Sequence, residues 1–292
     1  MALVINHNLM AMEAARNLGV SYNNLSTSVA RLSSGLRINS AADDAAGLAI
    51  REMMRTDIRV LNQGVRNAND AMSLIQTADG ALSVIDEKLT RMKELAEQAA
   101  TGTYTSAQRQ IMDSEYQAMA SEITRIAMAT DFNGVKLLDG SLSGSALDGS
   151  QQMKIHFGTG NSSAEDYYYI KIGNATASAL GVGNSAAATK AGYTISTQSA
   201  AQHALEALDT AITSKDNIRA NLGALSNRLS NTISNLTIQA QNLQAAESRI
   251  SDVDVATEMT EFTRNQILVQ SAVAMLAQAN SLPKMALQLI QG

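Results

Sequence analysis

The sequence predicts a mainly α fold: an elongated antiparallel helical rod or coiled-coil bundle formed by both chain ends, with a small β-containing insertion between them. Three observations lead there. One proline, no tryptophan and an abundance of Ala, Leu, Asn and Gln favour long helices over strand-rich architectures. Apolar residues recur in steps of three and four in two regions far apart in sequence, and such stripes are buried only against one another. Period-two alternation is confined to a glycine-rich middle stretch. The boundaries these patterns draw are terminal helices at 1–42 with 255–292, a helical rod at 43–139 with 201–254, and a small outer β-containing domain at 140–200.

Taken in chain order, residues 1–30 carry only Glu13 and Arg16 as charges. A polar joint follows, RLSSGLRINSAADDAAGLAI at 31–50, in which Ser40 to Asp43 fit the S-x-x-[DE] capping box and are expected to start a helix. From Ile58 the positions Leu61, Val65, Ala68, Met72, Ile75, Leu82, Ile85, Leu89, Met92 and Ala96 form a heptad seam over about five heptads. A helix over 58–97 would be roughly 60 Å long, against a radius of gyration of about 19 Å for a compact globule of this chain length. That contrast is the reason to expect a rod. Ser106 is the expected cap of the next helix, whose seam is Met112, Tyr116, Met119, Ile123 and Ile126, ending at the tight-turn pair Asn133-Gly134. The alternating pieces MKIHF at 153–157 and YYYIKI at 167–172 read as strands of a small hairpin or sheet. A third helical seam runs through Leu222, Leu225, Leu229, Leu236, Leu243, Ile250 and Val253. Ser251 to Asp254 repeat the capping-box spacing, so both boundaries are read as joints. The closing stretch 265–292 carries only Lys284 as a charge. Gln and Asn interrupt it too often for a membrane span, and it is too uncharged for a solvated helix. It is expected to be buried largely by other protein chains; the alternative is a core helix of the same subunit.

Composition removes several function classes. With no cysteine, disulfide frameworks, thiolate metal sites and thiol nucleophiles are excluded together. The only histidines, His7, His156 and His203, share no helix-face spacing, so no metal site or cofactor is expected. A net charge of −5 and a pI near 5.3 give no basic footprint for nucleic acid. Gly158-Thr159-Gly160 lacks the lysine and the strand–helix setting of a phosphate loop. The acidic pairs Asp43-Asp44 and Glu165-Asp166 lack the histidine or lysine company of a catalytic site, so no enzyme is expected. The N-terminus has neither the basic region nor the apolar core of a cleaved signal peptide, which by itself points to the cytoplasm.

RLSSGLRINSAADDAAGLAI, RNANDAMSLIQTADGALS, LTRMKELAEQAATGTY, DFNGVKLLDG and AAESRISDVDVATEMTEFTRNQILVQSAVAMLAQAN occur in that order. On these blocks the chain resembles bacterial flagellin over roughly 1–139 and 205–292. The resemblance implies a subunit that polymerises into the flagellar filament for swimming, with paired terminal helices lining the channel, a helical rod outside them and a short variable outer part. It implies export through the flagellar type III apparatus without a cleaved signal peptide, and hence an extracellular location. The implied partners are further copies of the chain, an export chaperone at the C-terminal segment, and the filament cap and hook-junction proteins. It also implies recognition of the monomer by the flagellin-sensing Toll-like receptor at Arg91, Leu95 and, on the second helix, Glu115. The seam turns Leu89, Met92 and Ala96 inward and leaves Arg91 and Leu95 on a flank. The alternative at these positions is a solvated Arg91 and a Leu95 buried between subunits. The alternative function is a flagellin-like hook–filament junction protein.

Overall fold

A computed structural model describes residues 8–144, 152–163, 165–182 and 192–291, with 282–284 and 286–291 described at the backbone only. His7, Asp148, Lys190 and parts of the 140–200 segment lie outside the described residues. The chain order is α1 (Leu9–Ser34), α2 (Ala45–Ala100), α3 (Ser106–Ala129), β1 (Asp131–Phe132), β2 (Val135–Lys136), β3 (Met153–His156), β4 (Tyr167–Ile170), α4 (Gln198–Ser251) and α5 (Val255–Gln291). The mainly α class with a small β-containing insertion therefore holds. Two compact units emerge, 1–58 with 241–292 and 59–240, and α2 and α4 contribute to both.

The unit of 59–240 is built on the α2 seam. Leu82, Ile85, Leu89, Met92 and Ala96 are fully buried, in one core with Tyr116 and Ile123 of α3 and Leu208, Ala211, Leu222 and Leu229 of α4. Thr105, one residue before the expected Ser106, caps α3: its hydroxyl accepts from Gln108 N while the Gln108 side chain accepts from Thr105 N. The arginine of that first turn, Arg109, donates from Nε to Ala99 O and from Nη2 to Thr101 O, both at 2.8 Å, so the carbonyls left open at the end of α2 find partners. Asn133 and Gly134 take φ of 50° and 80°, the left-handed pair a two-residue hairpin turn requires, and Phe132 pairs with Val135 across it.

The middle segment is part of this unit's core. Strands β3 and β4 pair antiparallel, Met153 with Ile170 and Ile155 with Tyr168, and that face packs inward. Ile170, Ile172, Ala175, Ala177, Leu180, Val182 and Ile195 are buried in the same cluster as the α2 seam. Glycine-rich composition hides this because no period marks an irregular segment. Contacts with two helices hold the pieces. On α2, Gly64 lets the backbone of Phe157 approach so closely that a Cβ there would lie 2.1 Å from the Phe157 carbonyl oxygen, and Asn67 Nδ2 donates to His156 O at 2.8 Å. On α3, Asp113 Oδ1 accepts from Ile195 N at 2.7 Å, Tyr116 Oη donates to Gly192 O at 2.7 Å, and Gln117 Nε2 donates to Tyr193 O. Burial pushes the Tyr116 phenol well above its ordinary pKa of 10, with the Asp113 charge adding to the effect.

A charge ladder joins α2 to α4. Asp79, Asp86 and Lys93 stand at heptad spacing on α2 and pair with Arg219 (2.7 Å), Lys215 and Asp209 of α4. The descending order of the partners makes the helix pair antiparallel. Lys215 is 2% exposed and is also 2.7 Å from Asp216, so its ammonium is buried between two carboxylates that reach solvent.

In the unit of 1–58 with 241–292, α1 and α5 form a second antiparallel pair. Asn8 Oδ1 accepts from Ala11 N to start α1, and Gly35, at φ 73°, ends it by donating to Arg31 O at 2.8 Å. The pair is pinned at both ends. Asn8 Nδ2 donates to Ala279 O at 2.8 Å, and Arg31 lies 3.6 Å from Glu258. Beyond Gly35 the chain crosses the link between α4 and α5, with Leu36 bridged to Asp252, Val253 N donating to Gly35 O and Arg37 N donating to Ser251 O.

Candidate assembly surface

Apart from Arg31, the least exposed residues of α1 are Ala11, Ala14, Leu18, Ser21, Leu25, Ser28 and Leu32, and those of α5 include Glu258, Phe262, Asn265, Val269, Ala272, Leu276 and Ala279. Both runs step by four and three, which is the seam of a two-helix coiled coil. Much of this seam is small or polar. Leu18, Leu25 and Leu32 of α1 and Phe262, Val269 and Leu276 of α5 supply its large apolar contacts, while a further set of large apolar side chains points outward: Leu9, Met12, Val20 and Tyr22 of α1 and Ile267, Val273 and Met275 of α5 are exposed. A groove of about 440 Å³ opens between the helices, lined by Leu9, Met10, Leu268, Ala272 and Met275 among others. Sequence reasoning found the low charge of both ends but not the seam that pairs them. Its signal was the spacing of Ala and Ser, which hydrophobic contrast does not highlight.

The joints are capped one or more residues away from where the serines stand. Ser40 does not cap α2. Asp43 Oδ2 accepts from Ser40 N at 2.8 Å and from its hydroxyl at 3.0 Å, closing a turn, while Asp44 Oδ1 accepts from Gly47 N at 2.9 Å at the true helix start. The backbone bond from Ser40 is the main reason that the Asp43 carboxyl titrates below its ordinary 3.8. Ser251 likewise is the buried last residue of α4, with its hydroxyl unpartnered, and Asp254 alone serves α5. Asp254 Oδ2 accepts from Thr257 Oγ1 at 2.8 Å and Oδ1 from Ala256 N at 3.0 Å, which lowers its pKa. Only Asp43 fits the S-x-x-[DE] spacing from Ser40, but Asp44 immediately precedes α2, and its carboxylate accepts from a free N–H of the first helical turn. Arg37 clamps the end of α4, donating from Nη2 and Nε to Ile250 O at 2.8 and 3.2 Å.

On the α2–α3 flank, Arg91 donates from Nε and Nη2 to Glu115 Oε1, both at 3.0 Å, and from Nη1 to Glu94 Oε2 at 2.9 Å. Those two carboxylates, Glu94 first, raise the Arg91 pKa. Arg91 and Glu115 are thus brought together at the surface. Leu95 is not with them. It is 2% exposed, inside the core. The expectation of a flank position for Leu95 fails because α2 is covered on two sides: Met92, Leu95 and Ala99 form a second row at 3–4 spacing beside Leu89, Met92 and Ala96.

A model described as the bacterial flagellin N-terminal helical region matches residues 5–143, and one described as the C-terminal helical region matches 205–290. The chain belongs to the flagellin family. It is 44% identical to a flagellin of Halalkalibacterium halodurans over 99% of this chain and 100% of that one. It is 41% identical to the flagellar filament 33 kDa core protein of Treponema phagedenis, again over 99% and 100%. A solved structure of a putative flagellar hook-associated protein from Vibrio parahaemolyticus covers 72% of this flagellin and is itself covered completely, with a TM-score of 0.56 at 14% identity, a likeness of fold alone. Flagellins are structural proteins rather than enzymes, and three of the four carboxylates in the acidic pairs close turns or cap a helix: Asp43 and Asp44 as above, and Asp166 by accepting from Ser162 N at 2.7 Å and Gly160 N at 3.1 Å. Among the described residues no helix is long and apolar enough to cross a membrane.

Proposed function

We propose that this flagellin polymerises through the outward faces of α1 and α5 into the extracellular flagellar filament, a helical homopolymer that turns motor rotation into swimming. The observation that carries this is the exposed apolar surface on a helix pair whose own contact is a single narrow seam, so that large apolar side chains remain outside it. An exposed apolar surface of that kind marks a site of association with further protein, and the relative from Treponema phagedenis is named a filament core protein. Before assembly the chain passes unfolded through the type III export apparatus without a cleaved signal peptide. An export chaperone covers the C-terminal segment in the cell, and the cap and hook-junction proteins meet the chain at the filament's ends. The test is a chain lacking 265–292. It should remain helical and monomeric at concentrations where the full chain sediments as filaments; filaments of normal diameter from the truncated chain refute the assignment.

A second reading concerns the monomer, in which the exposed Arg91–Glu115 pair is a directed, charged feature on the α2–α3 flank. We infer that the flagellin-sensing Toll-like receptor binds there, with Leu95 supporting the flank from beneath. Arg91→Ala with Glu115→Ala should shift the reporter-cell dose–response curve to higher concentration without changing helicity. An unshifted curve returns the pair to a solvated ion pair.

A further inference from the structure

We infer that the α1/α5 face is a methionine-oxidation site that gates assembly: in the free chain the thioethers of Met10, Met12, Met259, Met275 and Met285 take up oxygen from a peroxide or hypohalous acid, and the resulting sulfoxides hold the chain out of the polymer. The inference rests on the reading that this face is buried on polymerisation.

The chain has fourteen methionines and no cysteine, so its oxidisable sulfur is thioether alone. Met53 of α2 and Met128 of α3 are exposed at 69% and 57%, and most of the others divide by place. Met92 is 0% exposed, and Met72, Met112, Met119 and Met153 are partly buried against the same core. On the terminal helices Met10 is 51%, Met12 66% and Met275 64% exposed. Met10 and Met275 reach the same groove from opposite helices. In the reaction a sulfur lone pair attacks a peroxide oxygen, the O–O bond breaks, an S–O bond forms and water leaves. Sulfur loses two electrons and the peroxide gains them. With a hypohalous acid the halide and a proton leave instead. The product replaces a flexible apolar side chain with a polar, chiral one. On a solvated monomer that change is harmless, because the sulfoxide oxygen keeps its water. At an interface between apolar faces the oxygen must shed that water without gaining a donor. The same burial shields the sulfur once the polymer has formed, so vulnerability belongs to the subunit and not to the filament. Two stereospecific reductases reverse the modification, which makes it a switch as well as damage.

The test oxidises monomer with hydrogen peroxide, removes the oxidant, maps sulfoxides by mass spectrometry and measures the critical concentration for polymerisation by sedimentation. The expected result is a rise of at least tenfold, reversed by the two methionine sulfoxide reductases. It should be abolished by replacing the five residues with Leu, and unaffected by Met53→Leu with Met128→Leu, exposed positions off this face. Oxidised wild type that carries the five sulfoxides and polymerises like untreated protein overturns the inference, as does equal inhibition of the five-leucine variant. Should that variant not assemble, the rates of oxidation decide: the five sulfurs should react at least tenfold more slowly in preformed filaments than in monomer, and equal rates overturn the inference. Untreated protein that never polymerises removes the underlying assembly reading instead.

Discussion

Gly64 and Gly80 lie on the same helix, and the same substitution should move stability in opposite directions. A Cβ at Gly64 would lie 2.1 Å from the carbonyl oxygen of Phe157 and 2.8 and 2.9 Å from its C and Cα. An ordinary contact is about 3.5 Å, so the backbone must separate by roughly 1.4 Å, and these are backbone atoms with no rotamer to escape into. That shift breaks the 2.8 Å bond from Asn67 Nδ2 to His156 O and opens the cover over buried Phe157. Overpacking of this kind costs about 1–3 kcal/mol and the lost bond about 1 kcal/mol. Against this stands at most about 1 kcal/mol from alanine's helix propensity. Gly64→Ala should therefore destabilise by about 1–3 kcal/mol. At Gly80 a Cβ meets nothing within 4 Å, so Gly80→Ala should stabilise by about 0.5–1 kcal/mol. Urea unfolding of the monomer followed by circular dichroism reads both, with thermal midpoints moving about 2–4 °C per kcal/mol for a unit of this size. A Gly64→Ala midpoint equal to or above wild type refutes the close approach of α2 to the hairpin.

Lys215→Met should change stability by less than about 1 kcal/mol, because Asp86 and Asp216 reach solvent once their buried partner is gone, whereas Asp86→Ala, which leaves the ammonium buried with one carboxylate, should cost about 2 kcal/mol in the same unfolding assay. A larger loss for Lys215→Met than for Asp86→Ala refutes that asymmetry. Replacing 141–200 with a short linker should lower the melting temperature and expose dye-binding apolar surface, since Ile170, Ile172, Leu180 and Ile195 leave the core; an unchanged melt would place them outside it. Asp43, Asp166 and Asp254 all have folded pKa values below the unfolded 3.8, so the turns they close are fully stabilised above about pH 4 and released as the pH falls through the lower folded values. Carboxyl titration by nuclear magnetic resonance should give midpoints below 3.8 for each, and a midpoint at or above that value contradicts the hydrogen bonding.

The α2 seam was legible because Leu, Ile and Met mark a 3–4 rhythm against charged neighbours, and the fold class followed from it. The α1/α5 seam was not, since Ala11, Ser21, Ser28, Asn265 and Ala279 share it with Leu18, Leu25, Leu32, Phe262 and Leu276 while Leu9, Met12, Val20, Ile267 and Met275 face outward, which blurs the contrast between the two sides of each helix. Leu95 was misplaced because one stripe was assumed on a helix that is covered from two sides. The burial of Ala175, Ala177, Leu180 and Val182 has no local signature, as it depends on helices closing over an irregular segment. Arg91 and Glu115 could be placed on exposed helix faces from periodicity, but their mutual contact across 24 residues could not.

The α2–α4 ladder also acts as a check on alignment. Its signs run minus, minus, plus on α2 against plus, plus, minus on α4. Slide one helix by a heptad in one direction and Lys93 faces Lys215; slide it in the other and Asp86 faces Asp209. Each misalignment keeps the apolar stripes in contact, so hydrophobic burial alone would tolerate it, yet each juxtaposes like charges. The partners are separated by 116 to 140 residues of chain, a span over which the closing ends could meet in several offsets. Three ion pairs that add little to the depth of the native minimum thus remove its nearest competitors.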